Sequence, residues 1–238
     1  MRIRKEIVPF VVVAFLGGVV FFGILKTCGV PKEASIAVAA GLFAITLAYL
    51  LWFFRDPRRQ APSDTQVILA AADGVIAAVK TFEPEEFKTI SMLAGLNPDD
   101  LGRLRTETVL RVSIFLSLFD VHVNRVPIGG ESRFLGYFPG KHLFTFTEKS
   151  SDVNQHNSIL ISNERTLCLV NQIVGPVCRR VVYWLDPVKP TPVHAGDDFG
   201  MMKFGSRLDM YFPAKDIKLV VAEGEKVRAG ESVIGRYR

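Results

Sequence analysis

The chain has 238 residues, a net charge of +5 and 49% hydrophobic residues; its mean hydropathy of +0.25 is high for a soluble protein. That length holds one substantial domain plus an appendage. The basic balance admits nucleic acid, an anionic membrane surface or an acidic substrate as partner, but no zinc-finger spacing or RNP-type aromatic motif is present, so no nucleic-acid partner is expected. The three cysteines, Cys28, Cys168 and Cys178, are too few and too irregular for a disulfide framework or a zinc site. Cys168 and Cys178 fall in apolar strand-like runs and read as buried thiols of a part that sits in a reducing compartment.

In chain order, residues 7–25 and 36–54 carry no charge, and each approaches the ~20 apolar residues that cross a bilayer as a helix. The link between them holds Gly29 and Pro31, which suit a turn. Residues 1–60 therefore read as a membrane-anchoring helical hairpin, spanning or deeply inserted. A hairpin buried in protein or lying in the interface is the alternative. A cleaved signal peptide is opposed by the missing small-residue cleavage site and by the second span that follows at once. Arg2, Arg4 and Lys5 precede the pair and Arg55, Arg58 and Arg59 follow it, against Lys26 and Lys32 in the link. The positive-inside bias places both ends, and the main domain, in the cytoplasm at the cell (inner) membrane. Trp52, Phe53 and Phe54 with the arginines after them resemble an interfacial anchor; those arginines would attract anionic lipid or simply fix topology.

Pro62 and Ser63 mark a short linker into the domain 61–238. Short runs rich in Val, Ile, Phe and Tyr follow at 67–71, 75–79, 108–118, 158–161, 166–170, 177–184, 207–212, 217–221 and 232–237, most of them bounded by turn residues. Residues 83–104 read as helix and loop, with Asn97-Pro-Asp-Asp capping a short helix. The expected fold is mainly β, an antiparallel β-sandwich or barrel with few helices. The words Ala222-Glu-Gly-Glu-Lys-Val-Arg-Ala-Gly-Glu-Ser-Val-Ile-Gly resemble the hammerhead half of biotinyl and lipoyl domains, which signals a fold and no chemistry.

Three segments carry candidate chemistry. Ala72-Asp73-Gly74 lies between two apolar runs, although Asp-Gly is also what a β-turn favours for its backbone geometry. Phe115-Leu-Ser-Leu-Phe-Asp-Val-His-Val-Asn-Arg-Val-Pro127 runs an apolar strand into Asp120, His122, Asn124 and Arg125. With strand periodicity Asp120, His122 and Asn124 share a face, and polar groups at a buried strand end are costly unless satisfied or used. Phe199-Gly-Met-Met-Lys-Phe-Gly-Ser-Arg-Leu-Asp-Met-Tyr-Phe-Pro213 places Gly205-Ser206 among apolar residues, where an ordinary Gly-Ser turn is the bland alternative.

In this order the three segments resemble the phosphatidylserine decarboxylase family, most closely its shorter bacterial and archaeal type, with the words Asp-Val-His-Val-Asn-Arg-x-Pro and Phe-Gly-Ser-Arg. Phe53-Phe-Arg-Asp-Pro57, Gly136-Tyr, Asn163-Glu-Arg165 and Gly196-x-x-x-Gly200 extend the resemblance over nearly all of the globular part. It implies self-cleavage between Gly205 and Ser206 by N-to-O acyl shift and elimination. A β chain, 1–205, and an α chain, 206–238, would remain together as a heterodimer, compatible with a further homo-oligomer. Ser206 would become a covalent pyruvoyl cofactor that forms a Schiff base with phosphatidylserine, releasing CO2 and phosphatidylethanolamine. His122 matches a histidine of the decarboxylation step, and Asp73 the aspartate of an Asp-His-Ser self-cleavage triad; Asp120, Asn124 and Arg125 would bind substrate or support. The triad histidine's position is held by Arg125, which is effectively never a general base. Either His122 serves both stages or another residue, such as His142, His156 or His194, deprotonates Ser206.

Two other readings stay open. Met201-Met-Lys-Phe204 resembles the Met-Lys tip of biotinyl domains, with Lys203 as the modified residue of a carrier module. A non-catalytic membrane-anchored scaffold would show neither cleavage nor a reactive carbonyl. Within the decarboxylase reading, a related lipid such as archaetidylserine presents the same serine headgroup.

Overall fold

A computed structural model describes residues 1–87, 100, 102, 104, 107–176 and 181–238. Most of the 83–104 expectation with its cap at Asn97, the first half of the 177–184 run and Cys178 lie outside the described residues. The chain divides into two compact units, residues 1–58 and 59–238.

The first unit holds strand β1 (Arg2–Ile3), helices α1 (Val8–Thr27) and α2 (Lys32–Phe53), and strand β2 (Arg55–Asp56). Pro9 stands in the first turn of α1, where its missing N–H is no loss. Gly29, at φ +80, lets the chain turn out of the helix. Phe15 meets Phe43 edge-on at 5.9 Å between the helices. β1 pairs antiparallel with β2, and Arg4 and Asp56 form an ion pair of 2.7 Å. By length and composition both helices suffice to cross a membrane.

The second unit is mainly antiparallel β. Its strands are β3 (Val67–Leu69), β4 (Gly74–Phe82), β5 (Val109–Leu116), β6 (Val123–Arg125), β7 (Gly130–Phe138), β8 (His156–Ser162), β9 (Leu167–Ile173), β10 (Val182–Tyr183), β11 (Thr191–Val193), β12 (Asp198–Met201), β13 (Ser206–Pro213), β14 (Ile217–Leu219), β15 (Lys226–Val227) and β16 (Val233–Tyr237), with short helices α3 (Pro84–Phe87) and α4 (Ser150–Val153). The main sheet has eight strands, ordered β11-β7-β8-β9-β13-β5-β4-β15; three-stranded sheets β10-β12-β6 and β14-β16-β3 accompany it. Period-2 alternation gives the main sheet two faces. One carries Val112, Ile114, Leu116, Ile159, Ile161, Val170, Leu208, Met210 and Phe212 into the core. The other is unusual for a buried surface, because Arg111, Ser113, His156, Ser158, Asn171, Arg207 and Asp209 are all buried there. β13 is interior, paired with β5 over its whole length and with β9 over five residues.

Candidate active site

The three segments singled out in the sequence meet at one end of β5. Ser206 is the register partner of Leu116 on one side, and Val75 pairs with Phe115 on the other. The turn carrying Asp73 and the strand start carrying Ser206 therefore flank the same β5 end, two strand spacings or about 10 Å apart. Gly74, at φ +144, permits the tight join of β4 to β5, because a Cβ there would lie 2.1 Å from the Phe115 carbonyl oxygen.

Ser206 is fully buried, and its Oγ donates to the Lys203 carbonyl at a long 3.4 Å. The two residues before it are both left-handed: Phe204 at φ 52 and Gly205 at φ 70. A bulky side chain in this region costs about 1–3 kcal/mol, so strain is concentrated beside the Gly205–Ser206 bond. Gly175 lies directly against that bond's carbonyl. A Cβ built on Gly175 would stand 2.6 Å from the Gly205 oxygen and 3.4 Å from the Thr145 methyl.

The strand expected to run on into Asp120 stops at Leu116. Residues 117–120 form a turn closed by the Asp120 N–H on the Ser117 carbonyl at 3.2 Å, and the Asp120 carboxylate accepts from the Ser117 N–H at 2.8 Å and its hydroxyl at 2.7 Å. Asp120 thus builds the turn and does not share a strand face with His122 and Asn124. His122 is fully buried. Its Nδ1 lies 3.0 Å from the Asp120 carbonyl oxygen; a carbonyl only accepts, so Nδ1 carries the proton and Nε2 the basic lone pair. The Met202 N–H donates to the His122 carbonyl at 3.1 Å, tying the histidine to the chain just ahead of Ser206. Asn124 accepts from Gln172 at 2.7 Å, a buried pair behind the core face.

Arg125 donates to the Gly196 carbonyl at 3.0 Å and lies 3.5 Å from Asp198, so its guanidinium fixes the loop before β12. Asp73 accepts from Arg59 at 2.8 Å and from the Ala229 N–H at 2.8 Å. Burial raises its pKa above the ordinary carboxylate value, opposed by the Arg59 charge and the Ala229 hydrogen bond. Arg59 itself is not a surface anchor: its side chain is 7% exposed and also pairs with Glu231. Arg55 instead stacks on Trp52 at 4.0 Å.

His194 is 93% exposed at its side chain and lines a groove of about 490 Å³ with Ala61, Asn163 and Tyr237, to which Ser206, His122 and Asp73 do not contribute. His142 pairs with Gln155 at 3.1 Å. His156 is buried; its Nδ1–H donates to the Asn154 carbonyl at 2.9 Å, its Nε2 has no hydrogen-bond partner among the described residues, and burial lowers its pKa.

The sequence reading missed Gly175, Gln172 and the ionic group beside the site. Glu148 pairs with Arg111 and, at 2.9 Å, with Arg207, which also holds Asp209 at 2.9 Å. Arg207 and Asp209 alternate along an apolar strand, a pattern that ordinarily marks a solvated face; nothing local revealed that a loop covers it.

The sequence profile of a family described as phosphatidylserine decarboxylase matches residues 47–235. A phosphatidylserine decarboxylase proenzyme of Chlorobium phaeobacteroides is 40% identical over 204 residues, 86% of each chain, and one of Chlorobium chlorochromatii is 38% identical over 197 residues, 83% of each. One of Syntrophus aciditrophicus is 32% identical over 236 residues, 99% of this chain and 97% of the relative. No solved structure gives a significant match. These matches support the decarboxylase over the carrier built on Lys203 and over a scaffold. The chain belongs to the phosphatidylserine decarboxylase family of carboxy-lyases.

Proposed function

We propose that the protein is a membrane-bound phosphatidylserine decarboxylase that makes its own catalytic carbonyl at Ser206, and that the pair of left-handed residues ahead of this buried serine is the observation that carries the reading. Strain at Phe204, which the left-handed Gly205 beside it shares in conformation but not in cost, favours leaving the planar amide. The Ser206 oxygen attacks the Gly205 carbonyl carbon as its proton passes to a base. The C–N bond breaks, giving an ester and a free amine on residue 206. Loss of the α-proton then expels Gly205 as a carboxylate and leaves dehydroalanine, which takes up water and releases ammonia to give the pyruvoyl terminus. The residues present fit that group: a fully buried strand start, with open space beside Gly205, where a Cβ would meet nothing within 4 Å.

A pyruvoyl group held at position 206 would supply a carbonyl electron sink for decarboxylation of the lipid's serine headgroup. His122 is assigned to proton transfer in both stages, because its Nε2 lone pair is fixed by the Asp120 carbonyl and its backbone is bonded to the chain entering Ser206. Asp73, about 10 Å from Ser206 by strand spacing, acts through an intervening group, as does Asn124 through Gln172. Arg125 is assigned to holding the loop before β12 and Asp120 to closing the turn before His122. The hairpin keeps the enzyme on the cytoplasmic side of the cell membrane, where the acyl chains of the substrate stay in the bilayer. A serine phospholipid with another glycerol backbone, such as archaetidylserine, offers the same reacting headgroup.

The test uses the full chain reconstituted with phosphatidylserine labelled at the serine carboxyl carbon. Labelled CO2 and phosphatidylethanolamine are expected from the wild type. Ser206→Ala releases none, and His122→Ala turns over about 100-fold or more slower. Absence of CO2 from the wild type, or full turnover by either variant, contradicts the reading.

A further inference from the structure

Two loops flank the scissile bond, and both present large apolar side chains to the outside. The turn 117–120 follows Leu116, the register partner of Ser206, and exposes Leu118 and, at 70%, Phe119. The second loop passes Thr145, whose methyl shares with the Gly205 oxygen the space a Cβ on Gly175 would fill. On either side of the buried Thr145, Phe144 and Phe146 are 60% and 65% exposed, with rings stacked at 5.3 Å. Solvent-facing phenylalanines grouped around one site mark an interaction surface more often than chance.

The charges of the second loop point the same way. Its acid, Glu148, is half-buried and its charge is met by Arg111, Arg207 and Lys80. Lys141 and Lys149 remain exposed. The outer surface of the loop is therefore aromatic and basic, the composition that settles at the headgroup level of an anionic bilayer.

We propose that loops 117–120 and 144–147 form an interfacial foot: Phe119, Phe144 and Phe146 enter the acyl–headgroup boundary of the bilayer and bring Ser206 to the depth of the lipid headgroup. This rests on the decarboxylase reading and deepens it. A lipid that keeps its acyl chains in the membrane reaches a buried residue only if the rim of that residue's site meets the membrane surface. The hairpin tethers the chain; the foot sets the orientation and depth of the second unit.

The experiment uses the full chain with Trp52→Phe and Trp184→Phe, leaving no native tryptophan. Single Phe119→Trp, Phe146→Trp and, as control, Val188→Trp variants are made on that background; Val188 is 85% exposed on a different loop. Each is reconstituted into vesicles of phosphatidylethanolamine and phosphatidylglycerol with brominated acyl chains. Quenching at positions 119 and 146 at least threefold stronger than at 188 is expected. If either loop is quenched no more than the control, as when the aromatics cover a protein partner or a second copy of the chain, the proposal is overturned. A second arm compares Phe144→Ser/Phe146→Ser with the wild type on vesicle-borne and on short-chain, water-soluble phosphatidylserine. The ratio of the two rates should fall at least fivefold, and an unchanged ratio also overturns the foot. A wild type that decarboxylates neither substrate sinks the decarboxylase reading instead, while the quenching result stands independently.

Discussion

Phe204 at φ 52 and Gly205 at φ 70 put two left-handed residues in a row ahead of a buried hydroxyl, and Gly175, having no side chain, lets its segment lie directly against the Gly205 carbonyl. Gly175→Ala must displace either the Gly205 oxygen or its own segment, and a shift of about 1 Å at a reacting atom costs about 10- to 100-fold. Purified Gly175→Ala should therefore accumulate as uncut precursor, with a cleavage half-time longer by that factor in a time course on denaturing gels; cleavage at the wild-type rate would show that the contact is incidental. His156 gives a pH signature. Its folded pKa lies below the ordinary histidine value of about 6.5 because burial disfavours the cation. The unfolded chain protonates first as pH falls. The contribution of His156 to stability is thus fully present above about pH 6.5 and lost as pH drops through the lowered folded value. Thermal unfolding of the full chain in detergent between pH 7.5 and 5 should show a flatter pH dependence for His156→Gln than for the wild type, by at most about 1.4 kcal/mol per pH unit for one proton.

At the scale of elements, the polar face of the main sheet depends on one loop. Glu148 bridges Arg111 and Arg207, whose side chains are 2% and 1% exposed. Removing one partner of a buried pair typically costs about 3–5 kcal/mol. Glu148 is itself 39% exposed and Asp209 still holds Arg207, so Glu148→Ala should cost less, about 2 kcal/mol, measured as a lowered denaturation midpoint. A midpoint equal to that of the wild type would mean that the arginines find water or another acceptor. Elements with plain signals were legible in the sequence: the two helices with their uncharged stretches 7–25 and 36–54, and β5, β9 and β13 with their runs of Val, Ile, Leu and Phe. Strands β7 and β12 were not, because Gly-Glu-Ser-Arg and Asp-Phe-Gly-Met mix charge, glycine and apolar residues without clean alternation. Asp120, His122 and Asn124 were legible as a cluster, but their placement on one strand face was not, because the Asp120–Ser117 hydrogen bonds that end β5 are a tertiary outcome of turn chemistry. Gly175 is invisible in the sequence: its role is a close approach between segments about 30 residues apart.

Over the whole molecule, the placement of β13 decides what self-cleavage would leave behind. A break before Ser206 would fall at the start of an interior strand, hydrogen-bonded to β5 on one side and β9 on the other. Of the later strands, β14 pairs with β16 and β16 in turn with β3, while β15 pairs with β4. An α chain 206–238 would thus be woven into a main sheet built largely by the β chain and joined to β3 in a second sheet, and a piece this small does not hold a fold by itself. The two chains should co-elute in detergent under native conditions and separate only on denaturation. The central claim, that the chain breaks itself before Ser206 and leaves a ketone there, is tested most directly by intact-mass analysis of the purified full chain under denaturing conditions. The account predicts two masses, residues 1–205 ending in a free carboxylate and an α chain whose first residue carries a pyruvoyl group in place of Ser206, with Ser206→Ala remaining a single chain. One uncut mass for the active wild-type protein, with residue 206 still serine, would contradict it.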